Sequence, residues 1–258
     1  MMRTAVLSDI HGNLAALQSV LADIESQSVD RLICLGDVVG YGPHPRECLD
    51  AVAEMAFCIL GNHDNSALFD PEGFNRSAES AVFWTRQRLQ SDDSDGIDAR
   101  RRMRWICELP RVVQEDDVLF VHGSPRGPTN EYVFPEDSQN PKKLEKLFSL
   151  VPRLCFQGHT HVPGVFTNDN AFVRPIECDH QFVFSRTAEV LGENLRAMVN
   201  VGSVGQPRDG DNRSCYVITD GDQIEFRRVA YDVEQTVAAI EAEPDLDNAL
   251  AYRLRDGR

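Results

Sequence analysis

The chain has 258 residues, of which 42% are hydrophobic and 26% are charged, and this is ordinary for a folded protein with one sizeable core. A formal net charge of -15 argues against broad binding to nucleic acid, although it leaves room for a local cationic site. No apolar stretch reaches the length of a membrane span, the first residues lack a signal-peptide pattern, and the seven cysteines contain no C-x-x-C pair. We therefore expect a single domain over residues 1–258, in the cytoplasm and without a membrane partner.

Strands and helices alternate in the first half of the sequence, which predicts a largely parallel, buried sheet. Apolar runs predict strands over residues 3–8, 31–35, 57–60, 118–121 and 153–156. Helical spacing of apolar residues predicts helices over 13–25, 45–54, 76–90, 98–108, 141–149 and 232–242. Asn13 is the expected N-cap of the first helix. Residues 124–140 form a long loop, runs around 181–191 and over 214–229 predict antiparallel hairpins, and a polar tail closes the chain.

Five of the predicted strands end in residues of the types that bind metal ions. In chain order these ends are Asp9-Ile10-His11, Gly36-Asp37, Gly61-Asn62-His63-Asp64, His122-Gly123 and Gly158-His159-Thr160-His161. The carboxyl ends of parallel strands meet at one edge of a sheet, so these side chains are expected to lie together. One histidine at a strand end is usually structural, but five such ends in one chain favour a metal site.

These five blocks resemble those of the calcineurin-like metallophosphoesterase superfamily, which run D-x-H, G-D, G-N-H-[DE], H and G-H-x-H. The resemblance spans residues 3–161, and NVGSVGQPRDG at 200–210 is similar to a later glycine-serine segment of small bacterial members. It implies a four-layer α/β/β/α sandwich of two mixed sheets flanked by helices.

The resemblance also implies two divalent metal ions. One would bind Asp9, His11, Asp37 and His161, and the other Asp37, Asn62, His122 and His159. Asp37 would bridge the two ions, because a carboxylate offers one anionic oxygen to each. Mixed nitrogen and oxygen ligands favour Mn, Fe, Zn, Co or Ni. Two such ions clamp a phosphoryl group and lower the pKa of a shared water, so that metal-bridged hydroxide attacks phosphorus.

His63 is the candidate proton donor to the leaving group, because it follows Asn62 directly and is not needed as a ligand. In the phosphatase branch of the superfamily the second block reads G-D-x-x-D-R-G, and its second Asp orients the catalytic histidine. This chain has Gly40 and Tyr41 at those positions. Either Asp64 or the backbone would then orient His63. The version GDVVGYGPHP is similar to that of small prokaryotic members linked to phosphodiester cleavage.

Three further residues are candidates for contact with the substrate: Tyr41, Arg126 and Arg208. Arg126 and Arg208 could each bind a phosphate oxygen of the substrate, and a purely structural role in a turn is equally compatible with each position. His180 lies outside the motif blocks and is expected at the surface.

The sequence therefore predicts a dinuclear metal-dependent phosphohydrolase, specifically a phosphodiesterase that acts on a small phosphorylated substrate. A phosphomonoesterase or a dinucleoside polyphosphate hydrolase would share the metal centre and differ in the walls of the pocket. The alternative from another class is a non-catalytic scaffold, but such a domain usually loses ligands or the catalytic histidine. Nothing in the sequence favours one oligomeric state.

Overall fold

A computed structural model of the chain describes residues 2–71, 73–91, 97–175, 196–220 and 223–258, together with the backbone of 181–185. Within these residues the strands form two mixed sheets of six strands each. Sheet A has the order β3 (Phe57–Cys58), β2 (Arg31–Cys34), β1 (Thr4–Leu7), β11 (Ser214–Thr219), β12 (Gln223–Val229) and β9 (Gln181–Ser185). Sheet B has the order β4 (Val112–Glu115), β5 (Val118–Val121), β6 (Leu154–Gln157), β10 (Ala197–Asn200), β7 (Gly164–Thr167) and β8 (Phe172–Val173).

The helices lie mostly between the strands of the first half and at the end of the chain. They are α1 (Leu14–Glu25), α2 (Pro45–Val52), α3 (Asn62–Leu68), α4 (Arg76–Gln90), α5 (Ile97–Glu108), α6 (Pro141–Phe148), α7 (Val233–Glu241) and α8 (Ala249–Asp256), with a short 3-10 helix at Pro135–Gln139. Asn13 caps α1 as predicted, because its side-chain oxygen accepts a hydrogen bond from the Ala16 N–H. Among the described residues, no helix is both apolar enough and long enough to span a lipid bilayer.

The two sheets pack face to face around a buried apolar layer. Val6 and Ile33 of sheet A pack in one cluster with Phe120, Phe156 and Val199 of sheet B. A second cluster joins the outer face of sheet A to α1 and α2, and a third joins the outer face of sheet B to α6. The predicted α/β/β/α sandwich of two mixed sheets flanked by helices is thus confirmed.

Parallel pairing brings the functional loops to one edge. In sheet A, β1, β2 and β3 are parallel, and in sheet B, β5, β6 and β10 are parallel. The remaining pairs are antiparallel, including the hairpin β11–β12 that the sequence predicted over 214–229. The loops that leave the carboxyl ends of β1, β2, β3, β5 and β6 therefore carry the five motif blocks to a common site.

The predicted polar tail is wrong. Helix α8 buries Leu250, Ala251 and Leu254 in one cluster with Val237 and Ile240 of α7. Strand β4 and helix α3 were also not expected from the sequence, and α3 begins within the third motif block. His180 and residues 186–191 of the predicted hairpin lie outside the described residues.

Candidate metal centre

All seven predicted ligands lie together at the edge where the two sheets meet. Asp9, His11 and His161 offer ligand atoms within 4.8 Å of one another, and so do Asp37, His122 and His159. Each of these six side chains is buried. Asn62 joins the second group, because its Oδ1 lies 3.1 Å from Nε2 of His122.

Asp37 lies between the two groups. Its Oδ2 is 3.7 Å from Nε2 of His11 and 3.3 Å from Nε2 of His122. Its Oδ1 accepts a hydrogen bond of 2.8 Å from the backbone N–H of His63, which fixes the carboxylate plane. A single oxygen of Asp37, Oδ2, thus faces ligands of both groups, whereas the sequence led us to expect one oxygen for each.

Asp9 is held in the same way. Its Oδ2 accepts the backbone N–H of His159 at 2.9 Å, and its Oδ1 lies 3.2 Å from Nε2 of His161 and 3.8 Å from Nε2 of His11. Within the described part of the chain, this buried Oδ1 has no hydrogen-bond partner. A buried, unsatisfied carboxylate oxygen is costly unless a cation is beside it.

Backbone carbonyls behind the four histidines fix which ring nitrogen faces the centre. The pairs are His11 Nδ1 with Val39 O at 3.1 Å, His122 Nδ1 with Leu35 O at 2.9 Å, His161 Nδ1 with Gln206 O at 2.5 Å, and His159 Nε2 with Asn130 O at 3.3 Å. A carbonyl oxygen only accepts, so each of these nitrogens carries a proton. In the neutral ring the other nitrogen is then bare and available to a metal.

The bare nitrogens face each other in pairs. Nε2 of His11 is 3.2 Å from Nε2 of His161, and Nε2 of His122 is 3.1 Å from Nδ1 of His159. When both rings of a pair are neutral, the two facing nitrogens have no proton to share, so their lone pairs repel unless a proton or a metal cation lies between them. With the two carboxylates beside them, the donor set fits borderline divalent metals such as Mn, Fe, Co, Ni or Zn.

The backbone at the centre is also unusual. Five ligands have left-handed backbone angles: Asp9 (φ 55°), His11 (φ 50°), Asp37 (φ 51°), His159 (φ 68°) and His161 (φ 61°). Such a conformation costs a residue with a side chain roughly 1–2 kcal/mol. It is held by hydrogen bonds between loops, in which the N–H groups of Asp9 and His11 donate to the carbonyls of Gly36 and Asp37. Strain of this kind is typical of functional sites.

The electrostatics of the centre favour positive charge. Burial would raise the pKa of Asp37, but the neighbouring histidines, His122 first, hold it well below its usual range. Burial lowers the pKa of His122, but the Asp37 carboxylate more than offsets this and raises it to about 10. Burial and the charge of His122 lower the pKa of His159 to about 3. A ligating imidazole must be neutral, so a bound cation takes the place of the proton on His122.

His63 lies beside the centre and is held by packing. Its ring centroid is 4.4 Å from that of Tyr41, 4.8 Å from that of Phe74 and 4.8 Å from that of His11. A Cβ at Gly40 would collide with Nδ1 of His63, so the ring occupies the space that a side chain at residue 40 would need. Burial lowers the pKa of His63 to about 4. Members of the phosphatase branch have an aspartate at the position of Gly40. Because Gly40 has no side chain, it leaves room for the His63 ring in this position.

Asp64 does not orient the His63 ring, which corrects that part of the expectation. Its Oδ1 accepts the N–H groups of Val38 and Val39 at 2.9 and 3.1 Å, and its Oδ2 accepts the N–H of Gly61 at 3.1 Å. Its position near the start of α3 places it to cap the helix, and its hydrogen bonds brace the loop that carries Asp37. Burial and the nearby Asp37 carboxylate raise the pKa of Asp64 to about 7.

A cavity of about 760 Å³ opens over the centre. Its walls include Tyr41, Phe74, Tyr132, His63, Asn62, Asn130, His159, Arg208, Arg253 and Arg258. Two of the three candidate substrate residues, Tyr41 and Arg208, thus face it. Arg126 does not line it in the described residues and instead forms a surface ion pair with Glu131, whose Oε2 is 3.1 Å from its Nε.

Comparison with known proteins places the chain in a family. The model of the calcineurin-like phosphoesterase superfamily domain matches residues 2–223. The chain belongs to the calcineurin-like phosphoesterase superfamily. Metallophosphoesterases hydrolyse phosphoesters, so the prediction of a phosphoester hydrolase is confirmed and the non-catalytic scaffold is set aside.

Two relatives of this phosphoesterase are similar to it over more than nine tenths of its length, and a third over about half. An uncharacterized protein of Methanocaldococcus jannaschii is 32% identical over 246 residues, which are 92% of this chain and 90% of the relative. The crystal structure of a metallophosphoesterase from Sphaerobacter thermophilus is 34% identical, with a TM-score of 0.82 over 100% of this chain and 99% of the other. A symmetrical bis(5′-nucleosyl)-tetraphosphatase of Erwinia tasmaniensis is 32% identical over only 127 residues, 47% of this chain and 44% of the relative.

Several residues that hold this phosphoesterase site together were missed in the sequence, although the segment at 200–210 was noted. The Ser203 hydroxyl donates to the carbonyl of Asp9 at 2.8 Å, and the Asn200 amide donates to the carbonyl of Gly158 at 2.7 Å. Gln206 supplies the carbonyl behind His161. The residue types in this segment do not predict these contacts, because each contact also depends on where a loop distant in the sequence lies. Arg253 was missed because it lies in α8, where a polar tail was expected.

Proposed function

We propose that this phosphoesterase is a phosphodiesterase that uses two divalent metal ions to hydrolyse a small phosphorylated substrate. The observation that carries the two-metal part of the proposal is the arrangement of histidine nitrogens in two facing pairs on either side of Asp37. That arrangement supports two adjacent cation sites with Asp37 between them, and the phosphodiesterase part rests on the resemblance of GDVVGYGPHP to small prokaryotic members linked to phosphodiester cleavage. The relatives' family is consistent with it, and manganese is the first metal to try.

When bound, two divalent cations would polarise the phosphoryl group and lower the pKa of a water beside it. The protein's own part is to hold that group in place. The side chains of Asn62 and His159 line both the metal centre and the cavity, so a phosphoryl oxygen that enters the cavity meets the centre there. His63 and His159, which line the cavity beside the centre, are themselves buried, and burial strengthens the electrostatic contacts they make.

His63 is proposed to donate a proton to the leaving oxygen. It lines the cavity, and its Nδ1 has no hydrogen-bond partner in the described part of the chain. The rings of Tyr41 and Phe74 pack against the His63 ring and hold it in one orientation, and the space for it exists because Gly40 has no side chain. An anionic phosphoryl group beside the ring would favour its protonated form.

A dinucleoside polyphosphate hydrolase remains the second candidate, because one observation favours it. The cavity carries three aromatic side chains, Tyr41, Phe74 and Tyr132, and aromatic rings are suited to stacking on nucleobases. The partial similarity to a bis(5′-nucleosyl)-tetraphosphatase points the same way.

The cellular setting is proposed to be the cytoplasm, with the chain acting as one domain. Six cysteines in the described residues are free thiols, and five of these are buried. Free thiols are usual in a reducing compartment.

The first test compares hydrolysis of bis-p-nitrophenyl phosphate with that of p-nitrophenyl phosphate, using metal-stripped protein with and without added manganese. We expect strong diester cleavage that depends on the metal, and weak monoester cleavage. A preference for the monoester would overturn the phosphodiesterase assignment. Equal activity with and without metal would overturn the metal-dependent mechanism.

The role of His63 is tested with esters whose leaving groups differ in basicity. A proton donor matters most for a poor leaving group, so His63→Ala should reduce cleavage of an alkyl ester far more than cleavage of a p-nitrophenyl ester. Metal content should stay unchanged, because His63 is not in the proposed ligand set. An equal loss with both esters would contradict the assignment of His63 as a donor.

A further inference from the structure

Two arginines in the cavity wall converge on the same neutral partners. The Cζ atoms of Arg208 and Arg253 lie 5.8 and 4.8 Å from the ring centroid of Tyr41. Both guanidinium groups also donate to Oε1 of Gln206, the first at 2.7 Å. An aromatic face and an amide oxygen bind guanidinium groups but do not neutralise their charge.

Neither of these arginines pairs with a carboxylate among the described residues, and the buried Nε of Arg253 has no hydrogen-bond partner there. This is unusual in a chain with 41 acidic and 26 basic residues. Two residues further along α8, Arg255 makes a two-fold contact of 2.7 Å with Glu234. Burial and the charge of Arg208 lower the pKa of Arg253 to about 10, so the group is charged at neutral pH. Two unneutralised charges side by side favour a bound anion.

The arginine pair is close to the reaction centre. The Tyr41 ring, on which both guanidinium groups lie, is 4.4 Å from the His63 ring and 4.8 Å from the His11 ring. The same cavity is lined by His63, His159 and the two arginines. A substrate whose phosphoryl group reaches the metal centre would therefore place its next groups against Arg208 and Arg253.

We propose that Arg253, together with Arg208, binds a second phosphate group of the substrate, one that is not itself attacked. The proposal rests on the proposed function and narrows its substrate to compounds with a di- or polyphosphate chain. The planar guanidinium fork matches phosphate oxygens in pairs. Arg253 lies in α8, beyond residue 223, where the matched family model ends.

A pair of esters tests the second phosphate directly. The p-nitrophenyl esters of thymidine 5′-monophosphate and thymidine 5′-triphosphate share nucleoside and leaving group and differ in their phosphate chain. We expect the wild type to prefer the triphosphate ester in kcat/KM, and Arg253→Gln to reduce that preference about tenfold or more, mainly through KM. Arg255→Gln, on the same helix, is the matched control and should keep the preference. No preference in the wild type, or the same preference in Arg253→Gln, would overturn the proposal.

A merely structural role for Arg253 would lower kcat/KM for both esters alike and leave their ratio unchanged. Binding gives a readout that needs no turnover: calorimetric titration of chelator-treated protein with inorganic tripolyphosphate and with orthophosphate. We expect tripolyphosphate to bind the wild type more tightly, and Arg253→Gln to lose about tenfold or more of that affinity. Equal affinity of both proteins for tripolyphosphate overturns the arginine site. Failure of the wild type to cleave any diester would instead overturn the proposed function, so the two failures are distinguishable.

Discussion

Each histidine of the centre is fixed from behind by a carbonyl and faces its partner with a bare nitrogen. The repulsion between His11 and His161, and between His122 and His159, is what makes a cation the natural occupant of each gap. Because every one of these residues follows a buried strand, the sequence alone predicts that they lie together, whereas their division between two metal ions was implied by the family resemblance. Their tautomers and left-handed backbone could not be predicted, since both depend on carbonyls and amides from loops distant in the chain.

The two aspartates are expected to differ in their effect on metal binding. Asp9 faces only the first group of ligands, whereas Asp37 faces both. Asp9→Asn should therefore lose one metal ion per chain and retain the other, and Asp37→Asn should weaken both. Each change should lower activity on the order of a hundredfold or more.

Metal content after dialysis, measured by mass spectrometry, checks this difference. Asp245→Asn is the control, because Asp245 is exposed and lies in the turn between α7 and α8 rather than at the centre. Full metal content in Asp37→Asn would contradict the bridging assignment.

Gly40 is expected to be intolerant of any side chain. A Cβ there collides with the ring of His63, so Gly40→Ala should displace the proposed proton donor and reduce diester cleavage about a hundredfold, while the metal ligands stay in place. Gly210→Ala is the matched control, because Gly210 also has a left-handed φ of +86° but has no atom near its missing Cβ. The Gly210→Ala variant therefore introduces the same backbone strain as Gly40→Ala, about 1 kcal/mol, but no collision of its Cβ with another residue. Similar activity losses in the two variants would count against the packing explanation for His63.

At the scale of elements, the sequence predicted helices whose apolar residues recur at helical spacing, including the eight-residue helices α2 and α6, and missed others that tertiary contacts stabilise. Helix α1 has Leu17, Val20 and Ile24 on its buried face, and it was predicted within one residue. Helix α8 is stabilised by packing against α7, and this contact does not show in its local pattern. Helix α3 begins at Asn62, where ligand residues obscure any helical pattern. The cavity wall was the least predictable part, because α8 and Tyr132 reach it from distant segments.

Asn13 connects three elements, and we expect its side chain to contribute more to the free energy of unfolding than an ordinary helix cap does. Its Oδ1 accepts from the Ala16 N–H and the Thr236 hydroxyl, and its Nδ2 donates to the Gly205 carbonyl and the Tyr231 hydroxyl oxygen. Asn13→Ala leaves several of these groups buried and unpaired, so we expect a loss of about 2–4 kcal/mol in the free energy of unfolding. Urea unfolding measures it.

Asn140→Ala is the comparison for that loss. Asn140 is exposed and caps α6 through a single bond to the Lys143 N–H, so its removal should cost about 1 kcal/mol. If both variants lost the same amount, the additional contacts of Asn13 would contribute nothing to stability.

At the scale of the whole molecule, the charged side chains of the cavity wall are opposite in sign to the net charge of the chain. The chain carries a net charge of -15, yet the cavity wall holds Arg208, Arg253 and Arg258. A long polyanion would meet the acidic surface before it met these arginines, whereas a small phosphorylated compound fits within the cavity. The composition argues against a broad nucleic-acid surface, but it could not locate the cationic wall, because Arg253 and Arg258 reach the cavity only when α8 folds against the site.

Metal binding is expected to stabilise the whole fold, because each cation site has ligands from both sheets. Asp9 and His11 follow a strand of sheet A, whereas His161 follows a strand of sheet B; in the second group, Asp37 comes from sheet A and His122 from sheet B. Ligands that bind only the folded state stabilise it by about 4 kcal/mol at a thousandfold excess over Kd. For a chain of this size that corresponds to a rise in Tm of about 8–16 °C for each site that manganese saturates. Scanning calorimetry of chelator-treated and manganese-loaded protein measures the rise, and Asp37→Asn should show a much smaller one, since it loses the carboxylate common to both sites. An equal rise in the two proteins would mean that manganese stabilises the chain somewhere other than between the sheets.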